Sequence, residues 1–255
     1  MADAFLVSAS AADDTAFIAL RDLSEVLGDE EETGIIGGHM VSLLTASFPS
    51  PGCVPRRTND ADGGIPKALA RSGEVHDRLL AHDYLPTSSN RYVHKSGDGT
   101  QQILDLLVPS LATRLGKETL GSREFDSMPG LGVALARRLR IAVEATLSTG
   151  EELRFTAHVP SVEGAIVLKA YAWAGRRARK DAIDLHSLFR IVESHDADVI
   201  GGWRLDEAPP VGSRLDTSRT LHDLARNWEA RPPRATFDYL QLVSSIRTHV
   251  AAPPR

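Results

Sequence analysis

Two periodicities of apolar and polar positions run along this chain, and they change over near residue 160. Over residues 13–28, Phe17, Leu20, Leu23, Val26 and Leu27 recur at helical spacing and Gly28 supplies a stop, which predicts an opening amphipathic helix. A short apolar run at 33–36 meets Gly37 and Gly38, and Met40, Val41, Leu43 and Leu44 follow, so a strand, a glycine turn and a helix are expected. Residues 47–55 hold three prolines and a glycine and read as a loop. The stretch 56–62 alternates, placing Arg56, Thr58, Asp60 and Asp62 on one face of an expected strand. A helix within 65–82 precedes a hairpin whose arms, 91–95 and 101–108, flank the turn Ser96-Gly97-Asp98-Gly99-Thr100. Further strands are expected at 138–146 and 152–159. Helical spacing then takes over at roughly 162–174, 181–193, 217–229 and 235–249. The pattern predicts an α+β protein: a mixed-sheet domain over 1–160 followed by a helical domain over 161–255.

Composition narrows the class. A chain of 255 residues with 42% hydrophobic content can bury a sizeable core. No segment approaches the roughly 18 to 20 apolar residues of a membrane span, and the first residues lack the basic region of a secretion signal, so a cytoplasmic protein without membrane contact is expected. The single cysteine, Cys53, cannot form an internal disulfide, in keeping with a reducing compartment. The net charge of -5 hides an asymmetry: residues 1–110 carry 8 basic against 16 acidic side chains, and residues 111–255 carry 21 against 18. Part of the later excess is the run Arg176-Arg177-Ala178-Arg179-Lys180, which suits either a polyanion or a solvated loop.

The candidate chemistry begins with Asp60 and Asp62. Two carboxylates on one strand face repel unless a cation lies between them, and hard oxygen donors suit Mg2+. Asp105 interrupts the apolar run Ile103-Leu104-Asp105-Leu106-Leu107, where an unpartnered carboxylate is costly to bury, so it is expected to share that cation. Lys169 falls on the apolar stripe of Val162, Ala165, Ile166, Ala170 and Trp173, where it either meets an anion or snorkels to solvent. Asp181 sits where a helix cap is expected, whereas Asp184 flanks the stripe of Leu185, Leu188, Phe189 and Val192 and either reaches the cleft or pairs with Arg179 or Lys180. Of the two, Asp184 is the candidate functional residue. The pairs His76-Asp77 and His82-Asp83 point to different faces of one helix and read as exposed surface.

Glycines before a helix, Asp-x-Asp on one strand and a third Asp on a later strand resemble the minimal nucleotidyltransferase superfamily. Arg56-x-Thr58-x-Asp60-x-Asp62 after Gly37-Gly38, with Lys169 and Lys180-Asp181-Ala182-Ile183-Asp184-Leu185 downstream, looks like the AbiEii and MenT-type nucleotidyltransferases, toxins of type IV toxin-antitoxin systems. The resemblance implies transfer of a nucleotide from an NTP to an acceptor, with tRNA 3' ends as the acceptor in characterised MenT-type members. It implies Asp60, Asp62 and Asp105 as ligands of two Mg2+ ions, with Asp105 also drawing the acceptor proton. Lys169 would steady the triphosphate, Gly37, Gly38, His39, Arg56 and Thr58 would lie at the nucleotide, Asp184 would complete the centre, and an antitoxin would be a partner. His39 stands where a hydroxyl residue is usual, and the Pro-rich loop lengthens the gap to Asp60. Alternatives are a small-molecule, aminoglycoside-type nucleotidyltransferase and a degenerate fold retained as an RNA- or protein-binding module.

Overall fold

A computed structural model describes residues 2–95 and 99–254. Among these residues the protein is α+β, with two mixed sheets and nine helices. Ser96, Gly97 and Asp98 of the expected hairpin turn lie outside the described residues.

The smaller sheet has the order β1 (Ala2–Val7), β9 (Arg138–Thr146), β10 (Glu152–Pro160), with β1 parallel and β10 antiparallel to β9. The larger has the order β2 (Gly34–Ile36), β3 (Asp60–Gly64), β6 (Gln101–Ser110), β5 (Arg91–Lys95), β4 (Leu85–Ser88). Strand β3 runs parallel to β6 and antiparallel to β2. The far half of β6 pairs in parallel with β8 (Arg123–Pro129), which in turn pairs with β7 (Gly116–Leu120). Of these strands, β1, β4, β7 and β8 carry no clear alternation in the sequence. Strand β4, for example, is exposed along its whole length and is held by its ladder to β5.

Helix α1 (Ala11–Leu27) packs against both sheets. Ser10 caps it by accepting a hydrogen bond from Asp13 N, Asp13 and Asp14 favour the positive end of its dipole, and Gly28 ends it at φ 54°. Its buried stripe of Ala16, Ala19, Leu20, Leu23, Val26 and Leu27 fills the layer between the sheets. The helix expected within 65–82 is two short ones, α3 (Lys67–Ser72) and α4 (Glu74–Ala81), because Gly73 adopts φ 85° between them. A short α5 (Leu131–Leu135) follows β8.

The strand expected at 56–62 is shifted. It begins at Asp60, where the ladder to β6 begins, is joined by the ladder to β2 at Asp62, and continues through Gly63 and Gly64. Both glycines sit in close packing: a Cβ on Gly64 would come within 2.9 Å of a Leu131 methyl, and one on Gly63 within 3.1 Å of a Leu106 methyl. Arg56 and Thr58 therefore approach the strand on an irregular segment. That segment is pinned by the Ser42 hydroxyl donating to the Arg56 carbonyl (2.8 Å) and Val54 N donating to Ser187 Oγ (3.0 Å).

The helices after residue 160 join the same hydrophobic core, which runs from Ala4 to Val250. Helix α6 (Val162–Arg176) is buried at every position from 162 to 172, so it is a core helix rather than a surface one. Helices α7 (Arg179–Ser194) and α8 (Gly212–Ala230) pack against it, and α9 (Tyr239–His249) packs on those two. Among the described residues no helix is long and apolar enough to cross a membrane.

Candidate functional site

A cleft of about 500 Å3 opens where β3, β6 and β8 meet the N-terminus of α2 (Gly37–Ser47) and one side of α6. Its acidic floor follows from strand register. Asp62 lies directly opposite Asp105 on the parallel pair β3 and β6, and Asp60 lies two residues before Asp62 on the same face. Carboxylate oxygens of the three all lie within 4.8 Å of one another. At Asp62, burial first, then Asp60 and Asp105, push the carboxyl up to about 7, although Lys169 and Lys180 pull the other way. A divalent cation would relieve that repulsion, and oxygen donors of this kind fit Mg2+.

The glycine pair has a steric purpose. Gly37 takes φ 68°, and a Cβ there would lie 1.8 Å from Asp62 Oδ2. A Cβ on Gly38 would lie 2.7 Å from the Thr58 Cβ. Only glycines let the first turn of α2 sit this close to β3. No side chain caps that helix, whose opening residues Gly37, Gly38 and Met40 line the cleft, so its first backbone N–H groups are available to an anion. Thr58 donates from Oγ1 to Asp60 Oδ1 at 2.7 Å and fixes that carboxylate.

Lys169 projects from the buried helix α6 into the cleft, with only 5% of its surface exposed. Its Nζ lies 2.7 Å from Asp184 Oδ2, and Arg56 Nε lies 3.2 Å from Asp184 Oδ1. Neither Asp184 oxygen has an aligned hydrogen bond, so these are contacts of charge rather than directed bonds. Asp184 is 1% exposed and lies behind Lys169, outside the cleft lining. It pairs with Lys169 and Arg56 instead of Arg179 or Lys180, because its helix packs against α6. Asp181 is not the cap expected of it: α7 begins earlier, Ala178 is at the cap position, and Asp181 receives two hydrogen bonds from Arg176, at 2.7 and 2.6 Å.

His39 is turned away from the cleft. Its ring is 2% exposed and neither nitrogen makes an aligned hydrogen bond. Burial first, and then the Arg56 charge, lower its pKa to about 4, with Asp60 and the Ala16 backbone offsetting only part of this. The helix places residue 39 on its core side, one position past the glycine facing the strand. His76 is less exposed than expected, since its Nδ1 lies 3.0 Å from the Tyr92 hydroxyl, while Asp77, His82 and Asp83 are exposed.

Several cleft residues escape sequence reasoning. Arg91 faces Asp105 across the β5–β6 ladder and donates two hydrogen bonds to it, Nε to Oδ1 at 3.0 Å and Nη2 to Oδ2 at 2.6 Å. Each Asp105 oxygen keeps a lone pair for another partner. Lys117 and Asp126 pair across β7 and β8 and line the cleft with Asn90, Arg176 and Lys180. Strands β7 and β8 lack a pattern that announces them, whereas Lys180 belongs to a basic run already conspicuous in the sequence. Compared with known protein-family models and with curated proteins, the chain matches none.

Proposed function

We propose that this protein is a Mg2+-dependent nucleotidyltransferase that moves a nucleotide from an NTP to an acceptor hydroxyl, an RNA 3' end such as that of tRNA. The observation that carries this reading is the convergence of Asp60, Asp62 and Asp105 within 4.8 Å on a cleft that also holds the uncapped N-terminus of α2 and the buried Lys169. Acidic and anion-binding elements lining one cleft suit a substrate that arrives as a metal-bound polyphosphate.

The three aspartates would hold Mg2+, which when bound neutralises phosphate charge and stabilises entering and leaving oxygens. The N–H groups of the first turn of α2 and the Lys169 ammonium would receive the phosphates, and Asp184 and Arg56 hold Lys169 in place. Asp105 takes the proton of the acceptor hydroxyl. The acceptor oxygen then bonds to the α-phosphorus, the bond from that phosphorus to the bridging oxygen breaks, and pyrophosphate leaves. At the rim, Glu124 neutralises Lys117 and Asp181 neutralises Arg176, so the preference for a polyanionic acceptor over a cationic drug rests on Lys180 and the basic run it belongs to.

The test is incubation of purified protein with each labelled NTP, Mg2+ and either total tRNA or aminoglycosides. Label in RNA, lost in Asp60→Ala, is the expected outcome. Label in the drug overturns the acceptor, and no label in either overturns the enzyme. Growth arrest on expression, relieved by Asp60→Ala, is the expected phenotype of a type IV toxin whose partner would be an antitoxin.

A further inference from the structure

A second depression, of about 140 Å3, lies between the C-terminal turn of α6 and the exposed side of α8. Trp173 and Trp228 line it, edge to face with ring centroids 5.7 Å apart, together with Leu224, Asn227, Asp223 and Arg177. Both tryptophans are only half-buried, so part of each large ring faces solvent. Trp228 is braced from behind by Phe237 and Tyr239, with centroids 6.1 and 6.3 Å away.

The groove adjoins the cleft on one helix. Ala172 and Arg176 line the cleft, and their immediate neighbours Trp173 and Arg177 line the groove. Arg177, Arg179 and Lys180 are exposed at this junction beside Arg176, which Asp181 already neutralises, while the one acid of the groove lining, Asp223, is paired with Arg226. Aromatic faces beside a cationic ridge are the combination that binds single-stranded nucleic acid, by stacking bases and neutralising backbone.

On the reading above that RNA is the acceptor, we propose that the Trp173–Trp228 groove holds the unpaired segment of RNA just upstream of the reacting 3' end. A base stacks on an indole, and Arg177 with its neighbours meets the phosphates that lead into the cleft. The strand therefore enters along α6, and its terminal hydroxyl is directed toward Asp105.

Binding is tested without NTP or Mg2+, using a short labelled single-stranded RNA, a duplex of the same sequence, and the full-length protein. Single-stranded RNA is expected to quench tryptophan emission, to which only Trp173, Trp203 and Trp228 contribute, and the duplex to bind more weakly without quenching. Trp173→Leu should weaken binding about tenfold, the scale of one lost stack. Arg177→Gly, which suits the φ of 47° at that exposed position, should weaken binding and lower its salt dependence by about one phosphate contact. In transfer assays both variants should raise the KM for RNA and leave kcat little changed.

Nucleotide transfer to RNA with parental KM and affinity in both variants removes the groove and leaves the enzyme standing. Single-stranded binding that both variants lose, in a protein that transfers nothing, retains the groove and removes the enzyme. Equal binding of duplex without quenching also overturns the stacking role.

Discussion

Replacing Asp184 by Asn isolates the role of the ion pair behind the cleft. The Lys169 and Asp184 side chains are 6% and 1% exposed, and their charged atoms are 2.7 Å apart. At an effective dielectric constant near 20, two unit charges at that separation attract by about 6 kcal/mol, and most of this offsets the loss of hydration. Removing one partner loses the attraction but leaves the other charge desolvated, so Asp184→Asn should destabilise the protein by about 3–5 kcal/mol. Lys169→Met should cost a similar amount, moderated by Arg56, which can still neutralise Asp184 at 3.2 Å. The double variant removes both charges, so its loss should fall short of the sum of the singles by at least about 2 kcal/mol. Urea unfolding followed by circular dichroism measures all four corners of this cycle. Single losses under about 1 kcal/mol, or strict additivity in the double variant, would refute the assignment of a coupled buried pair.

Gly37→Ala should lower stability by more than about 1 kcal/mol and abolish Mg2+-dependent activity, since the added methyl overlaps Asp62 at a left-handed φ; thermal unfolding and nucleotide incorporation check both. Asp62→Asn should raise the urea midpoint in EDTA, by about 1–2 kcal/mol of stability, because it removes one of three crowded like charges, and it should erase stabilisation by Mg2+. A wild-type protein more stable than Asp62→Asn in EDTA would contradict the repulsion. His39 is held neutral, with its pKa lowered to about 4, so the unfolded chain takes up its proton first as pH falls below the ordinary value near 6.5. Stability attributable to His39 is complete above that value and declines by roughly 3 kcal/mol as pH falls through 4. His39→Leu should flatten that part of the pH profile, as followed by urea midpoints between pH 4 and 7.

Much of the site was legible in one dimension because short-range rules govern it. Asp60 and Asp62 share a face by strand alternation, Asp105 stands out as a charge in an apolar run, and Lys169 as a charge on an apolar helical stripe. The boundaries of β3 were not legible, since Arg56 to Asn59 alternate as a strand would and lack only a neighbouring chain to pair with. Gly63 and Gly64 look like strand breakers until Leu106 and Leu131 crowd them.

The sequence by itself determined the shared face of Asp60 and Asp62, the chemistry of the hard oxygen donors and the apolar helical stripe on which Lys169 falls. Only the tertiary structure decided which charges meet. Parallel register set Asp62 against Asp105, the packing of α7 on α6 gave Lys169 to Asp184, and helix phase turned His39 into the core. The division is physical: periodicity tells which way a side chain points, but a contact between residues far apart in the chain depends on register and packing that no local pattern encodes.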